Sequence, residues 1–285
     1  MRLQYSAAQL RLMAEKLRLD MVDSLHEAGS GHPGGSLSIA EIMSVLYFHE
    51  MNLDPSNPQW ADRDRFVLSK GHTAPGLYAT LAHRGFFPVS DLTLTRTLGG
   101  YLQGHPNMNT TPGVDMSTGS LGQGVSVAAG MAKAAKYMNK KDVRVYTLLG
   151  DGEIDEGEVW EAFMFAAHYA LDNLCVIIDI NGLQIDGPTK KVMDTGCISD
   201  KMNAFGFNVV EIDGHSFDEM EKAFDAFHAC EGKPTAILMH THKGKGVSFM
   251  EDSAAWHGAA PNDEQYEKAM SELRAQLAEV EAAHE

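Results

Sequence analysis

Two runs of branched and aliphatic residues constrain this chain more than anything else in it: Val143-Arg144-Val145-Tyr146-Thr147-Leu148-Leu149 and Leu174-Cys175-Val176-Ile177-Ile178. Neither alternates polar with apolar residues, so neither can keep one face in water. Each reads as a strand buried on both faces, the environment of a parallel sheet covered by helices. Further strands are expected at 66–68, 207–212 and 234–241, with helical stretches between them. That alternation predicts an α/β fold with a doubly wound parallel sheet and helices on both faces.

Helix signals fill the intervals. Ser6 with Gln9 makes a capping box ahead of Leu10, Met13, Leu17, Met21 and Leu25, and Gly29 ends the run. Ser38 with Glu41 is expected to open a second helix, with Ile39, Ile42, Met43 and Leu46 as its apolar face. A Gly/Ala-rich helix is expected from Gly119 to Tyr137. The stretches 53–65 and 182–195 read as loops. Near the end, Tyr266, Met270, Leu273, Leu277 and Val280 form one narrow stripe on an acidic helix. The expected division is a domain over 1–260 and an amphipathic helix over 261–285, packed on that domain or on a partner.

The two central strands end in polar turns, Gly150-Asp151-Gly152 and Asp179-Ile180-Asn181-Gly182. Ligands collect at the carboxyl ends of parallel strands, and a helix starting near Asp155 would aim its first N–H groups at an anion there. Asp151 offers a carboxylate oxygen, Asn181 an amide oxygen, and the backbone near Leu183 a carbonyl. Such hard ligands suit Mg²⁺ or the larger Ca²⁺, with diphosphate oxygens and water completing the shell, and do not suit zinc. Taken alone, Gly150-Asp151-Gly152 reads equally well as an ordinary strand-to-helix turn.

Composition narrows the class. A net charge of −16 leaves no basic face for nucleic acid; the turn holding Lys243 and Lys245 is a local exception. Cys175, Cys197 and Cys230 lack C-x-x-C spacing and are expected to be reduced. No apolar run approaches ~18 residues, and Met1 to Tyr5 leads into a helix rather than a signal peptide. A cytoplasmic protein that does not span a membrane is expected.

The pairing of Gly150-Asp151-Gly152 with Asn181 resembles the thiamine-diphosphate motif, and the blocks around it resemble the transketolase branch. Those blocks are Ser30-Gly31-His32-Pro33-Gly34-Gly35, Leu68-Ser69-Lys70-Gly71-His72, Gly104-His105-Pro106, Thr118-Gly119-Ser120-Leu121-Gly122-Gln123-Gly124, Ile185-Asp186-Gly187, Lys243-Gly244-Lys245-Gly246-Val247 and Trp256-His257-Gly258. The resemblance implies a thiamine-diphosphate-binding fold, a Mg²⁺ or Ca²⁺ ion on Asp151, Asn181 and Leu183, and transfer of a two-carbon ketol unit between sugar phosphates. Transketolases of this type have three consecutive domains, and 285 residues suit one. The chain is therefore expected to be the N-terminal subunit of a split transketolase. Its companion C-terminal subunit would carry the pyrimidine-binding domain and the activating glutamate, in an assembly of two copies of each chain (α2β2).

By the same resemblance His32, His72, His105 and His257 are the active-site histidines. His32 and His105 would contact donor hydroxyls, His72 would lie near the diphosphate and reacting centre, and His257 would assist proton transfer. Cofactor contacts are expected from His72, Gly119, Leu121, Gly150, Asp151, Gly152, Glu156, Asn181 and His257. Gln123 belongs to the loop meeting the aminopyrimidine, and Glu156 and Glu161 match carboxylates that link cofactor sites across a subunit interface. His242 is expected at most to line the site, and His26, His49, His83, His168, His228 and His284 to sit on helices. Ser120, Gly34-Gly35-Ser36 and Asn107 depart from the family pattern, which bears on substrate more than on cofactor. The competing readings are a deoxyxylulose-phosphate-synthase-like subunit, a non-catalytic regulatory subunit of the same fold, and a nucleotide-binding protein. The last lacks both G-x-G-x-x-G and a P-loop lysine.

Overall fold

The structure, a computed structural model, describes residues 2–138 and 142–283; His284 lies outside them. Five strands, β1 (Arg65–Leu68), β2 (Val145–Gly150), β3 (Leu174–Ile180), β6 (Asn208–Asp213) and β7 (Thr235–His240), form one parallel sheet. Their order is β1-β2-β3-β7-β6. Between β3 and β6, β4 (Leu183–Gln184) and β5 (Gly187–Pro188) pair as a small antiparallel hairpin.

Successive side chains of a strand point to opposite faces, and here both faces are covered. Leu148, Ile177 and Met239 meet α1 (Ala7–Ala28), α2 (Pro33–Leu37), α3 (Ala40–Val45) and α4 (Ala74–Arg84) in one buried cluster. Leu149, Val176 and Leu238 meet α5 (Gln123–Tyr137), α6 (Gly157–His168) and α8 (Ile198–Ala204) in a second; α7 (Thr189–Val192) lies in the loop after β5. The first cluster also takes in α9 (Phe217–Ala229) and α10 (Asp263–Ala282). On α10, Ala269, Met270 and Leu273 are buried, and Tyr266 donates to Asp23 of α1 at 2.7 Å. The doubly wound sheet expected from the sequence is the observed one.

The register sets up the site. Gly150 stands beside Asp179, and Ile180 beside His240, so Asp151, Asn181 and Thr241 leave three adjacent strand ends together.

Two local expectations are corrected. Ser6 and Gln9 do form the capping box of α1, but Ser38 caps nothing: its hydroxyl donates to the Gly35 carbonyl (3.1 Å) and to Asp179 (2.9 Å), while Glu41 turns to buried Arg18. The Gly119–Tyr137 helix begins only at Gln123, because Gly119 (φ 146°) and Gly122 (φ 86°) hold backbone conformations no α-helix contains. The helix expected near Asp155 is present, starting at Gly157 after a tight 3₁₀ turn over Glu153–Asp155.

Candidate active site

Asp151 follows β2 directly and is only 6 % exposed. Its Oδ1 accepts from Gly152 N (2.9 Å) and its Oδ2 from Gly182 N (2.7 Å), so one carboxylate ties the two polar turns together. Burial, reinforced by the nearby charge of Asp179, raises its pKa to about 6. Asn181 donates to Asp179 Oδ2 (3.0 Å) and accepts from Leu183 N (3.1 Å), which fixes the orientation of its amide.

Beneath this pair lies Asp179, fully buried, receiving hydrogen bonds from Lys70, Thr241, Ser38 and Asn181. Burial opposes its charge, but Lys70 and these donors outweigh it and hold the carboxyl below the usual range. Glu153, also buried, accepts from Ser69 Oγ (2.5 Å), Gly122 N (2.9 Å) and Gly150 N (3.1 Å), stapling three chain segments at the edge of the site.

A cavity of about 230 Å³ opens above them, bordered by Asp151, Asn181, Leu183, Lys70, His72, Lys243 and His257 among others. Lys243 Nζ stands 2.9 Å from His257 Nδ1 and 3.4 Å from the Leu183 carbonyl. Burial, helped by the charge of Lys70, lowers the Lys243 ammonium to about 8.

Four separate segments bring the histidines together. Ring centroids lie 5.2 Å apart for His32 and His72, 5.2 Å for His72 and His257, 5.6 Å for His32 and His257, and 6.3 Å for His32 and His105. Burial and neighbouring cations keep the imidazoles uncharged: His32 and His257 fall to about 4, and His72 and His105 also fall. Close backbone approach makes this possible, since a Cβ on Gly71 would meet Gly119 N at 2.7 Å and one on Gly119 would meet the His105 ring at 2.9 Å.

The other expected residues divide. Leu121, Gly150 and Gly152 line the cavity, whereas exposed Glu156 packs on Gly122, and Gln123 and Glu161 are exposed on α5 and α6. His242 turns outward to Asp252 (3.0 Å) and away from the cavity. His26 meets Asp263, His83 meets Asp20, His49 meets the Tyr5 carbonyl and His228 lies 2.7 Å from Glu50; exposed His168 ends α6. Sequence reasoning passed over Lys70, Asp179, Glu153, Gln184 and Lys243. Lys70 and Lys243 sit inside the motif blocks, which was the available signal; Asp179, read as the start of a polar turn, is the next-to-last residue of β3 and fully buried.

The donor set fits a hard divalent cation with a diphosphate. Among the described residues no three His, Cys, Asp or Glu side chains converge on a metal. The protein oxygens here are one carboxylate, one amide and one carbonyl, and they leave most of an octahedral shell to ligand and water. A carboxylate whose charge is disfavoured by burial, its pKa raised to about 6, is stabilised when a cation arrives. Buried His32 Nδ1 and Gln184 Oε1 have no protein partner, so polar capacity remains for a ligand.

A parallel sheet whose strand ends carry an oxygen cradle, a basic wall and a histidine nest defines the diphosphate-binding part of a cofactor-dependent enzyme. Residues 10–279 match the family model described as "Transketolase, thiamine diphosphate binding domain". The chain is 46% identical over 264 residues to the 6-deoxy-6-sulfo-D-fructose transketolase subunit SqwG of Clostridium sp. (strain MSTE9), covering 93% of this chain and 96% of that one. It is 42% identical over 272 residues to one of the subunits of the apulose-4-phosphate transketolase of Phocaeicola vulgatus, covering 95% and 96%. Against the crystal structure of transketolase from Campylobacter jejuni the TM-score is 0.87 at 34% identity, over 95% of this chain and 45% of that one. The chain thus spans less than half of that transketolase and nearly all of the two subunits. It belongs to the transketolase family, as a thiamine-diphosphate-binding transketolase subunit. Among the described residues no helix is long and apolar enough to cross a membrane.

Proposed function

We propose that this chain is the diphosphate-binding half of a cytoplasmic, two-chain transketolase that moves a two-carbon ketol unit between sugar phosphates. The supporting observation is that Asp151, Asn181 and the Leu183 carbonyl border the same cavity as Lys243, His72 and His257. In this reading those three oxygens hold Mg²⁺, with Ca²⁺ the alternative, and Lys243 holds the diphosphate. Thiamine diphosphate, when bound, supplies the electron sink for carbon–carbon cleavage.

The chain's own residues then bind and orient. A protonated Lys243 donates to His257 Nδ1, which leaves the imidazole proton on Nε2 and offers a neutral donor to a substrate oxygen. His32 and His105, uncharged, exchange hydrogen bonds with donor hydroxyls, and His72, which borders the cavity, would lie near the diphosphate and the reacting centre. Gly119, Leu121, Gly150 and Gly152 give the cofactor close backbone approach, and Glu156 and Glu161 face a subunit interface. Within the segment 261–285, helix α10 (Asp263–Ala282) packs on the 1–260 domain as its last described helix. One named relative acts on a sulfonated ketose and another on a ketose phosphate, which supports a donor ending in an anionic group.

The companion carries the pyrimidine-binding domain and the activating glutamate, in an α2β2 assembly. Exposed Leu121 and Ile185 border the cavity and supply apolar surface for it. The test is a coupled ketol-transfer assay on each chain alone and on the mixture. Activity only in the mixture is expected; full turnover by this chain alone overturns the two-chain reading, and a companion that binds without restoring turnover favours a regulatory subunit.

A further inference from the structure

Arg96 belongs to none of the motif blocks, yet it lies against the glycines that precede two of the four histidines. Its φ of 60° is a left-handed conformation uncommon for a residue with a side chain. Its N–H donates to the Leu102 carbonyl at 2.8 Å and closes a turn whose tip, Leu98, is fully exposed. Inside that turn the guanidinium Nη2 donates to the Gly104 carbonyl at 3.3 Å.

Two glycines make room for it. A Cβ on Gly104 would lie 3.0 Å from the Arg96 Cζ, and one on Gly31 would lie 3.5 Å from its Nε. The guanidinium therefore rests against the residues that immediately precede His32 and His105. Its Nε is buried without a partner, and among the described residues Arg96 forms no ion pair. A cation next to imidazoles and without a counter-charge acts on those imidazoles. Burial and then Arg96 are the leading causes that lower both His32 and His105; His32 also faces His105 and Lys243.

We propose that Arg96 is a positioning residue of the donor site: it props the Gly104-His105 turn against the Gly31-His32 turn and turns a charge without an ion-pair partner toward both imidazoles. The inference rests on the reading of His32 and His105 as hydroxyl-binding groups. A neutral imidazole has one donor and one acceptor nitrogen and can hold a hydroxyl from either side, whereas an imidazolium can only donate. The charge of Arg96 favours the useful form, and its fork fixes where the rings sit.

The experiment uses Arg96→Met, which keeps the stem and removes the charge, and Arg96→Lys, which keeps the charge and removes the fork. Histidine ring titrations are followed by NMR in the full chain, and kcat/KM is followed against pH in the enzyme assembled with its companion. In Arg96→Met the His32 and His105 titrations are expected to move up by at least about half a unit. The acid limb of kcat/KM should move up with them. Arg96→Lys should retain the wild-type limb and lose kcat/KM by a factor constant across pH. Unmoved titrations in Arg96→Met, or an equal pH-independent loss in both variants, overturn the proposal. If Arg96→Met does not fold, a displaced acid limb in Arg96→Lys overturns it as well. A wild-type assembly without ketol transfer would instead overturn the functional reading, because the ring titrations do not depend on it.

Discussion

Two buried ion pairs divide this molecule into a part that is finished and a part that waits for a ligand. Arg18 and Glu41, 1 % and 5 % exposed, meet through two bonds of 2.5 and 2.6 Å between α1 and α3, and Glu15 takes a third at 2.9 Å. His215 stands 3.2 Å from Glu41 on the other side. Burial opposes the Glu41 charge, but Arg18 and His215 outweigh it and hold the pKa at about 2. Lys70 and Asp179 are buried as deeply, and Asp179 is as fully hydrogen-bonded. The difference lies in the neighbours. Beside the second pair, Asp151 and Lys243 border a cavity with pKa values of about 6 and about 8, both displaced toward the uncharged form. A cation at Asp151 and an anion at Lys243 would stabilise both charges against that burial. Buried charge serves the fold where it is closed on itself and serves binding where it is left open.

The sharpest break of that comparison is Asp151→Ala. It removes the only carboxylate of the proposed cation site, and thiamine-diphosphate affinity of the assembled enzyme is expected to fall by about 100-fold or more. Titration in the presence of Mg²⁺ measures it; affinity unchanged within about twofold would remove Asp151 from the site.

Removing one cation from each pair comes next. Arg18→Met and Lys70→Met each strand a buried carboxylate and should destabilise the chain by about 3–5 kcal/mol in denaturant unfolding. Only Lys70→Met should also weaken cofactor binding, because Lys70 borders the cavity. Equal cofactor losses from both would erase the distinction between the pairs.

His105→Ala should leave cofactor affinity and folding in place while lowering turnover by about 100-fold, as expected for a positioned hydroxyl-binding or acid–base group. His168→Ala, at the end of α6, should change turnover little. Matching effects from the two, or cofactor loss from the first, would take His105 out of the donor site.

The smallest effect is a pH dependence. The folded pKa of Glu41 lies below its unfolded value of 4.5, so its contribution is present above pH 4.5 and is lost as pH falls toward about 2. Acid unfolding of the wild type should steepen through that window, and Glu41→Gln should flatten it. An unchanged acid profile in Glu41→Gln would show that the pair carries no proton-linked stability.

Much of this was legible beforehand. The sheet could be read from strands 143–149 and 174–178, because a strand buried on both faces must be apolar on both. The four histidines could be read because each sits in a local block. Ser38 misled for a physical reason: a hydroxyl before Glu at the right spacing satisfies the capping pattern, but the same hydroxyl can serve a buried carboxylate far along the chain, and here it serves Asp179. The length of the Gly119–Tyr137 helix misled because glycine is as compatible with a left-handed turn as with a helix packed closely on a sheet.

By itself the sequence determined the fold class, the polar turns bearing Asp151 and Asn181 at the strand ends, and the capping box of α1. Each depends on residues near one another in the chain, or on a periodicity that local geometry imposes. Only the tertiary structure decided that Lys70 neutralises Asp179, that Lys243 stands on His257, and that Arg96 lies against the turns bearing His32 and His105. These are contacts between segments, and their energies depend on burial and distance, which are set only when the strand register brings the loops to a common edge.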